Sequence, residues 1–203
     1  CQIESSKHKT DKIVRECRSL VLEVEPVRGN LEGYHQEFNV VSRSFDRFFN
    51  HGEHRIPCKI DKLEFFEKMD GSLVTMFKYS GQWMYRTKSM IMPEEDMKVN
   101  GFDISWKTLI EEALGYDWNT EFRNGSFSYI FEVTAPENRV VTRYTGRNAV
   151  LLAVRRNRDG EYCGQDLCDN IALKNYWKRP RTYSFKEWTE VEEGVLDSLP
   201  RRC

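Results

Sequence analysis

A lysine stands two residues before an Asp-Gly pair in the segment Lys68–Leu73, which reads Lys-Met-Asp-Gly-Ser-Leu. A lysine amine attacks phosphorus only when it is deprotonated, and desolvation or neighbouring cations favour that form. Asp70 could orient the amine or hold a metal through water, and Gly71 could let the backbone turn and approach a nucleotide. The segment indicates covalent nucleotidyl transfer with Lys68 as the nucleophile. A plain surface turn is the alternative, because Asp-Gly is also a common hairpin sequence.

Two glutamates further along the chain stand in unusual surroundings. Glu132 interrupts the apolar, strand-like segment Phe127–Val133, and a buried carboxylate is costly unless it is paired or coordinated. Simple alternation, in which Ser128, Ile130 and Glu132 share one face and point outward, is the alternative. Glu193 precedes a glycine and an apolar pair, a pattern that the end of a helix also explains.

The composition is that of a globular chain. It has 203 residues, of which 39% are hydrophobic and 13% aromatic, enough for one sizeable core. The net charge of -1 combines 31 Lys and Arg with 32 Asp and Glu. A nucleic-acid surface would therefore need segregated charges rather than an overall basic field.

Cysteine usage and hydropathy bear on the compartment. The six cysteines form no C-x-x-C pair, which argues against a zinc site and against a dense disulfide framework. No apolar run approaches the roughly 18 residues of a membrane span, and the first residues are not signal-like. We expect a monomer in a reducing cytoplasm, or inside a virus-infected cell, without a membrane partner. The chain begins with Cys1, which we interpret as part of a longer protein.

Strand signals dominate the chain and predict a sheet-rich α+β domain. A turn at Ser80-Gly81-Gln82 separates two strand-like segments and predicts a hairpin. A second hairpin is predicted through Asn157–Gly160 into Glu161–Cys163. The predicted strands are Leu20–Val24, Leu73–Tyr79, Trp83–Thr87, Phe127–Val133 and Ala149–Arg155.

Three helices are predicted. Apolar residues recur at helical spacing over 106–114, with Asp103 or Ser105 as the N-cap and Gly115 as the end. A second helix is predicted over 166–177, before a proline. A capping box at Ser184-x-x-Glu187 predicts a last short helix that ends at a glycine.

Taken in order, several segments resemble the motifs of the phage-type RNA ligase 1 family, in the superfamily that also contains DNA ligases and mRNA capping enzymes. Lys68–Leu73 is similar to the nucleophile motif, and its Ser-Leu pair is typical of RNA ligases. The other similar segments are Cys17–Glu23, Val40–Glu53, Arg86–Ser89, Phe131–Val141, Leu151–Arg155 and Glu193–Val195. The resemblance spans almost the whole chain.

This resemblance implies an antiparallel-sheet nucleotidyltransferase domain, of the ATP-grasp-like ligase adenylation type, with a few flanking helices. Lys68 would attack the α-phosphate of ATP, transfer the AMP to an RNA 5′-phosphate, and let an RNA 3′-hydroxyl displace it. The implied enzyme is an ATP-dependent RNA ligase, and its implied partner is RNA with 5′-phosphate and 3′-hydroxyl ends.

The resemblance also implies roles for individual side chains. Glu132 would contact the ribose, and Glu193 and Asp70 would hold Mg²⁺ or Mn²⁺ largely through water. The remaining implied nucleotide-binding residues are three cations near the phosphates and one aromatic near the adenosine: Arg18, Arg47, Lys88 and Phe49.

The chain departs from the family pattern at three places. Ser19 replaces a glycine, and Arg47 replaces a lysine, which keeps the charge but changes the donor geometry. The family's fifth motif, Lys-x-Lys, has no counterpart before Cys203. We interpret residues 1–203 as a single adenylyltransferase domain without its final motif and without a C-terminal specificity domain.

Two alternatives remain open from the sequence. One is another lysine nucleotidyltransferase, either a capping-type guanylyltransferase or a DNA ligase, which nucleotide preference would distinguish. The other is a non-catalytic RNA-binding remnant. The missing fifth motif favours the remnant, and the presence of Lys68, Glu132 and Glu193 disfavours it.

Overall fold

The computed structural model describes residues 15–17, 20–24, 38–49, 63–115, 117 and 124–185. The chain divides into two compact units. The first unit takes in Cys1–Phe48 and Asp70–Arg179, and the second takes in Phe49–Met69 and Pro180–Cys203. The boundary therefore runs through the Lys68–Leu73 segment.

A four-stranded antiparallel sheet forms the centre of the first unit. Its strands are β4 (Ser72–Tyr79), β5 (Gln82–Arg86), β6 (Phe127–Thr134) and β7 (Asn148–Arg156). Their spatial order is β5-β4-β6-β7, so β4 and β6 are the inner strands. Ser80 and Gly81, with φ of 47° and 82°, join β4 to β5 in a two-residue loop that suits a tight hairpin. The predicted hairpin is confirmed.

Helix α1 (Trp106–Leu114) confirms its prediction. The Ser105 hydroxyl accepts a hydrogen bond from the Thr108 amide at 3.0 Å, and Gly115 ends the helix. The apolar residues of the helix face the core, where Leu109 and Ile110 are fully buried.

Helix α2 (Gln165–Lys174) is shorter than the predicted segment 166–177. Tyr176 takes a positive φ of 58°, which ends the helical path. Trp177 then turns back, and its indole N–H donates to the Leu114 carbonyl at 2.8 Å. Among the described residues, no helix is long and apolar enough to span a membrane.

The main apolar core lies on the face of the sheet that α1 and α2 cover. The Trp177 ring meets Phe131 edge to face, with ring centroids 4.7 Å apart, a favourable geometry for aromatic pairs. Core residues from the strands include Val74, Met76, Tyr85, Tyr129, Phe131, Val133 and Leu151.

The opposite face of the sheet packs against a second, two-stranded sheet. That sheet contains β1 (Leu20–Val24), as predicted, and β2 (Phe38–Arg43), which the sequence reading missed. The two sheets meet through buried hydroxyl groups. Ser42 Oγ lies 3.0 Å from Ser128 Oγ, and the Thr75 hydroxyl donates to Ser44 Oγ at 2.8 Å.

The described part of the second unit is an antiparallel pair of β3 (Leu63–Phe66) and β8 (Thr182–Phe185). Ser184 lies within β8 and pairs with Glu64. The predicted capping box at Ser184 is therefore wrong, because strand pairing takes up the backbone where the cap was expected. The rest of that predicted helix lies outside the described residues.

At the second predicted hairpin, the chain turns back after β7 but forms a single bridge rather than a second strand. Gly160 takes a positive φ of 77°, and Tyr162 forms a single antiparallel bridge with Arg155. Together with α1 and α2, these antiparallel sheets confirm the predicted α+β class.

The Ser105 cap gives a test of this fold. We expect Ser105→Ala to lower the free energy of unfolding by about 1 kcal/mol, because the amide of Thr108 loses its acceptor, and Ser105→Gly to lower it by only a few tenths. Urea denaturation followed by circular dichroism measures both values. Equal losses in the two variants would contradict the cap.

Candidate functional site

The close pairing of β4 and β6 fixes the position of Gly71. Ser72 pairs with Val133 and Leu73 with Glu132, which brings the start of β4 against the end of β6. A Cβ added at Gly71 would lie 2.3 Å from the carbonyl oxygen of Val133. Only glycine permits the backbone of residue 71 to come this close to strand β6.

Glu132 receives a hydrogen bond from the Lys68–Leu73 segment. The Gly71 amide donates to Glu132 Oε1 at 3.0 Å, so the half-buried carboxylate is held by a backbone group. A carboxylate accepts several hydrogen bonds, so this contact is compatible with a further one to a ligand. The structure thus joins two segments that the sequence analysis singled out separately.

The strand pairing shows on which face Glu132 lies. Thr75 pairs with Ile130 and Leu73 with Glu132, so Ile130 and Glu132 share the face turned toward β1 and β2. The predicted alternation is confirmed, but its outward direction is wrong. Ser128 and Ile130 are both 0% exposed, because the second sheet covers this face.

Asp70 holds a loop through its side chain and its backbone. Its Oδ2 atom accepts hydrogen bonds from the amides of Val141 and Thr142, both at 2.6 Å. The Asp70 amide donates to the Tyr144 hydroxyl at 3.0 Å. We call Arg139–Tyr144 the anchored loop. The described contacts of Asp70 Oδ2 position this loop, a function that the sequence analysis did not foresee.

Asn138 and Arg147 lie on either side of the anchored loop, and both are held by side-chain contacts. Asn138 is 3% exposed, and its side chain accepts from the Ala135 amide at 2.8 Å and donates to the Val133 carbonyl at 2.9 Å. Arg147 pairs with Glu137 at 2.5 Å and also with Glu112. The hydrogen bond from Arg147 lowers the pKa of Glu137 below its ordinary value.

Lys68 belongs to the second unit and its side chain is exposed. It lies just after β3, in which Phe65 is half-buried and Phe66 is 40% exposed. The Glu67 amide donates to the Arg181 carbonyl at 2.8 Å, which continues the pairing of β3 and β8 up to the residue before Lys68.

The segment that carries Arg47 is held by residues that the sequence analysis did not assign to the site. The Arg155 side chain is 4% exposed and pairs with Asp46 at 2.7 Å, and it also donates to the Ser44 carbonyl. The Tyr162 hydroxyl accepts from the Asp46 amide at 3.1 Å. Arg47 follows directly and is half-buried. The sequence feature that could have identified Arg155 is its position, as a charged residue, in the mostly apolar strand β7.

A cavity of about 300 Å³ lies between β1 and the segment that follows β5. Arg86 and Lys88 supply its cations, and Leu20, Val21 and Leu22 line the side formed by β1. Arg86 is 7% exposed, and burial lowers the pKa of its guanidinium. Its Nε and Nη2 atoms donate to the carbonyls of Thr87 and Lys88. Arg86 is an addition to the predicted cations.

The other predicted site residues lie in the second unit or outside the described residues. Phe49 is half-buried and belongs to the second unit. Arg18 and Glu193 lie outside the described residues. No group of three or more potential metal ligands occurs in the described part of the chain. The predicted metal pair, Asp70 and Glu193, stays a prediction.

Comparison with known proteins places these segments in a family. The family described as RNA ligase matches residues 16–198. The chain belongs to this RNA ligase family, which confirms the resemblance found in its motifs. The match includes Lys68, Glu132 and Glu193.

Individual relatives also have RNA ligase in their names. A putative bifunctional polynucleotide kinase/RNA ligase of Autographa californica nuclear polyhedrosis virus is 32% identical over 203 aligned residues, which cover 90% of this chain and 26% of the relative. An RNA ligase of Rhodothermus phage RM378 is 26% identical, over 58% of this chain and 34% of the relative. The chain thus spans about a quarter to a third of the length of these relatives.

A solved structure of Naegleria gruberi RNA ligase, a lysine-to-alanine mutant with ATP and Mn, is also similar. It shares 14% sequence identity with a TM-score of 0.44, and the match covers 62% of this chain and 37% of that chain.

The contact at Gly71 gives a first test of the site. We expect Gly71→Ala to lower the free energy of unfolding by about 2 to 3 kcal/mol, because the new methyl group collides with the backbone of β6. Gly146→Ala is the matched control, since its nearest neighbour would be 3.9 Å away. Chemical denaturation of both variants measures the difference. Equal stability of the two variants would contradict the described approach.

The hydrogen bond between Gly71 and Glu132 gives a second test. Glu132→Ala leaves a half-buried amide without this acceptor and should cost about 1 to 3 kcal/mol of stability. Glu132→Gln retains an oxygen acceptor and should cost less than half as much. Thermal denaturation of the two variants provides the comparison. Equal losses of stability would show that Glu132 does not stabilise the protein through its hydrogen bond with the Gly71 amide.

Proposed function

We propose that this chain is the adenylation part of an ATP-dependent RNA ligase. The Lys68 amine attacks the α-phosphorus of ATP, a nitrogen–phosphorus bond forms, and pyrophosphate leaves. An oxygen of the RNA 5′-phosphate then attacks the same phosphorus and releases the lysine. Finally an RNA 3′-hydroxyl attacks the activated 5′-phosphate, forms the phosphodiester and releases AMP.

The observation that carries this proposal is the hydrogen bond between Gly71 and Glu132, in a chain that belongs to the RNA ligase family. It connects the segment of the proposed nucleophile with the carboxylate proposed to hold the ribose. Lys68 is two residues from Asp70 in sequence, and a chain of two residues spans at most about 7 Å. A short stretch of chain thus joins the proposed nucleophile to a residue whose amide and carboxylate are both hydrogen-bonded.

Positive charge would carry much of the rate, because phosphoryl-type transfer depends on positioning and on neutralising the phosphate oxygens. Lys88 and Arg86, at the cavity beside β1, are cations suited to this role. Arg47 is held by the segment that Arg155 fixes. Arg18 is proposed for the same role, and Phe49 for packing beside the adenosine.

A divalent ion would reach the site with the nucleotide. Mg²⁺ keeps several waters and is held largely by substrate phosphates and one or two carboxylates. Glu193 and Asp70 are proposed to hold it, mainly through water. Asp70 Oδ2 already accepts two amides, which fits an indirect contact better than a direct bond to the ion.

Replacement of the proposed nucleophile tests the proposal. The chain incubated with Mg²⁺ and α-labelled ATP should retain label on a denaturing gel, and Lys68→Ala should lose at least 99% of it, because no other group supplies the bond. Lys174→Ala, a change of an exposed lysine at the end of α2, should label as the unchanged chain does.

Two results would contradict the assignment. Label that persists in Lys68→Ala would exclude Lys68 as the nucleophile. Stronger labelling from GTP than from ATP would indicate a capping-type enzyme. A chain that labels from ATP can then be given 5′-phosphorylated RNA, and appearance of the label on RNA shows the second step.

A further inference from the structure

The anchored loop, Arg139–Tyr144, displays apolar side chains to solvent. Val140 is 69% exposed and Val141 is 58% exposed. Ordered, exposed apolar side chains on a loop are typical of contact surfaces rather than of simple connections.

The same loop also displays positive charge. Arg139 and Arg143 are both exposed. Arg139 donates from Nε to the Val141 carbonyl at 3.3 Å. Among the described residues, neither guanidinium pairs with a carboxylate, whereas Arg147, three residues beyond the loop, pairs with two. Two arginines within five residues thus present charge that this part of the protein does not neutralise.

The loop is nevertheless fixed in position. Asp70 Oδ2 holds the amides of Val141 and Thr142 at 2.6 Å, and the Tyr144 hydroxyl accepts from the Asp70 amide. A surface that is ordered before binding loses less entropy when a ligand binds. The residue that anchors it also lies two positions from Lys68 in the chain.

We propose that the anchored loop binds the sugar-phosphate backbone of single-stranded RNA next to the reacting 5′-phosphate. Arg139 and Arg143 contact backbone phosphates, and Val140 and Val141 pack against a sugar or a base. Asp70 acts as the positioning residue for this surface. This inference rests on the proposed ligase function and assigns part of its substrate site.

The charge is tested with Arg139→Gln/Arg143→Gln in the full chain. Binding of a short 5′-phosphorylated RNA, labelled at its 3′ end, is measured by fluorescence anisotropy without ATP at several salt concentrations. We expect roughly tenfold weaker binding. The slope of log affinity against log salt should fall by about 1.4, at about 0.7 for each lost phosphate contact to a single strand. Labelling of Lys68 from ATP should stay within about twofold.

A matched control removes the same charge elsewhere. Arg158→Gln/Lys174→Gln changes two exposed cations outside the loop and should leave the salt slope unchanged. If the loop variant binds this RNA as tightly as the control variant does, the inference is overturned. It is also overturned if the unchanged chain does not bind this RNA. Absence of labelling from ATP in the unchanged chain would instead overturn the proposed function. The two failures are distinguishable because RNA binding is measured without ATP.

The apolar pair has its own test. Val140→Thr/Val141→Thr keeps the side-chain shape but adds two hydroxyl groups. We expect about threefold weaker RNA binding with the same salt slope, because the lost contact is apolar. Unchanged affinity would show that the valines are not part of the RNA-binding surface.

Discussion

The pairing of β4 with β6 is the constraint on which the rest of the site depends. It brings the backbone of Gly71 so close to Val133 that an added Cβ would lie 2.3 Å from a carbonyl oxygen. It also places Glu132 where it accepts the Gly71 amide. Because the Lys68–Leu73 segment runs directly into β4, its final residues take the geometry of the central sheet.

A layer of polar contacts positions the second group of proposed site residues. Ser42 and Ser44 of the β2 region meet Ser128 and Thr75 of the central sheet. Arg155 extends this layer by pairing with Asp46. Buried polar groups are costly unless they are satisfied, and a satisfied network favours one arrangement over others. This layer therefore sets the position of the segment that carries Arg47.

Local sequence rules predicted the elements whose signals are local. The hairpin at Ser80-Gly81 needs two positive φ values, and the helix over 106–114 shows its period and its cap within a few residues. The β4–β6 pairing spans more than fifty residues, so no local rule could provide it. For the same reason the sequence suggested that Gly71 serves a turn, whereas the structure shows a close approach to β6.

Elements without a clean alternation were missed. Strand β2 reads Phe-Asn-Val-Val-Ser-Arg, in which apolar and polar residues do not alternate, and its Ser42 meets the Ser128 hydroxyl of the central sheet. Strands β3 and β8 are short, and within the described part of the chain they pair with each other alone. The role of Asp70 was also unpredictable, since its partners, Val141 and Thr142, are backbone amides, which every residue except proline has. Motif order predicts Lys68 and Glu132 as site residues, and the structure adds the hydrogen bond from the Gly71 amide to Glu132.

Amide hydrogen exchange of the unchanged chain, resolved by NMR, reports directly on the carboxylate contacts at Gly71 and in the anchored loop. We expect the amides of Gly71, Val141 and Thr142 to exchange at least roughly tenfold more slowly than in an unfolded peptide, because each has a described carboxylate acceptor. Val140 and Arg143, in the same loop, serve as internal references that should exchange faster. Exchange of Gly71, Val141 and Thr142 at unfolded-peptide rates would show that Glu132 and Asp70 do not hold these amides.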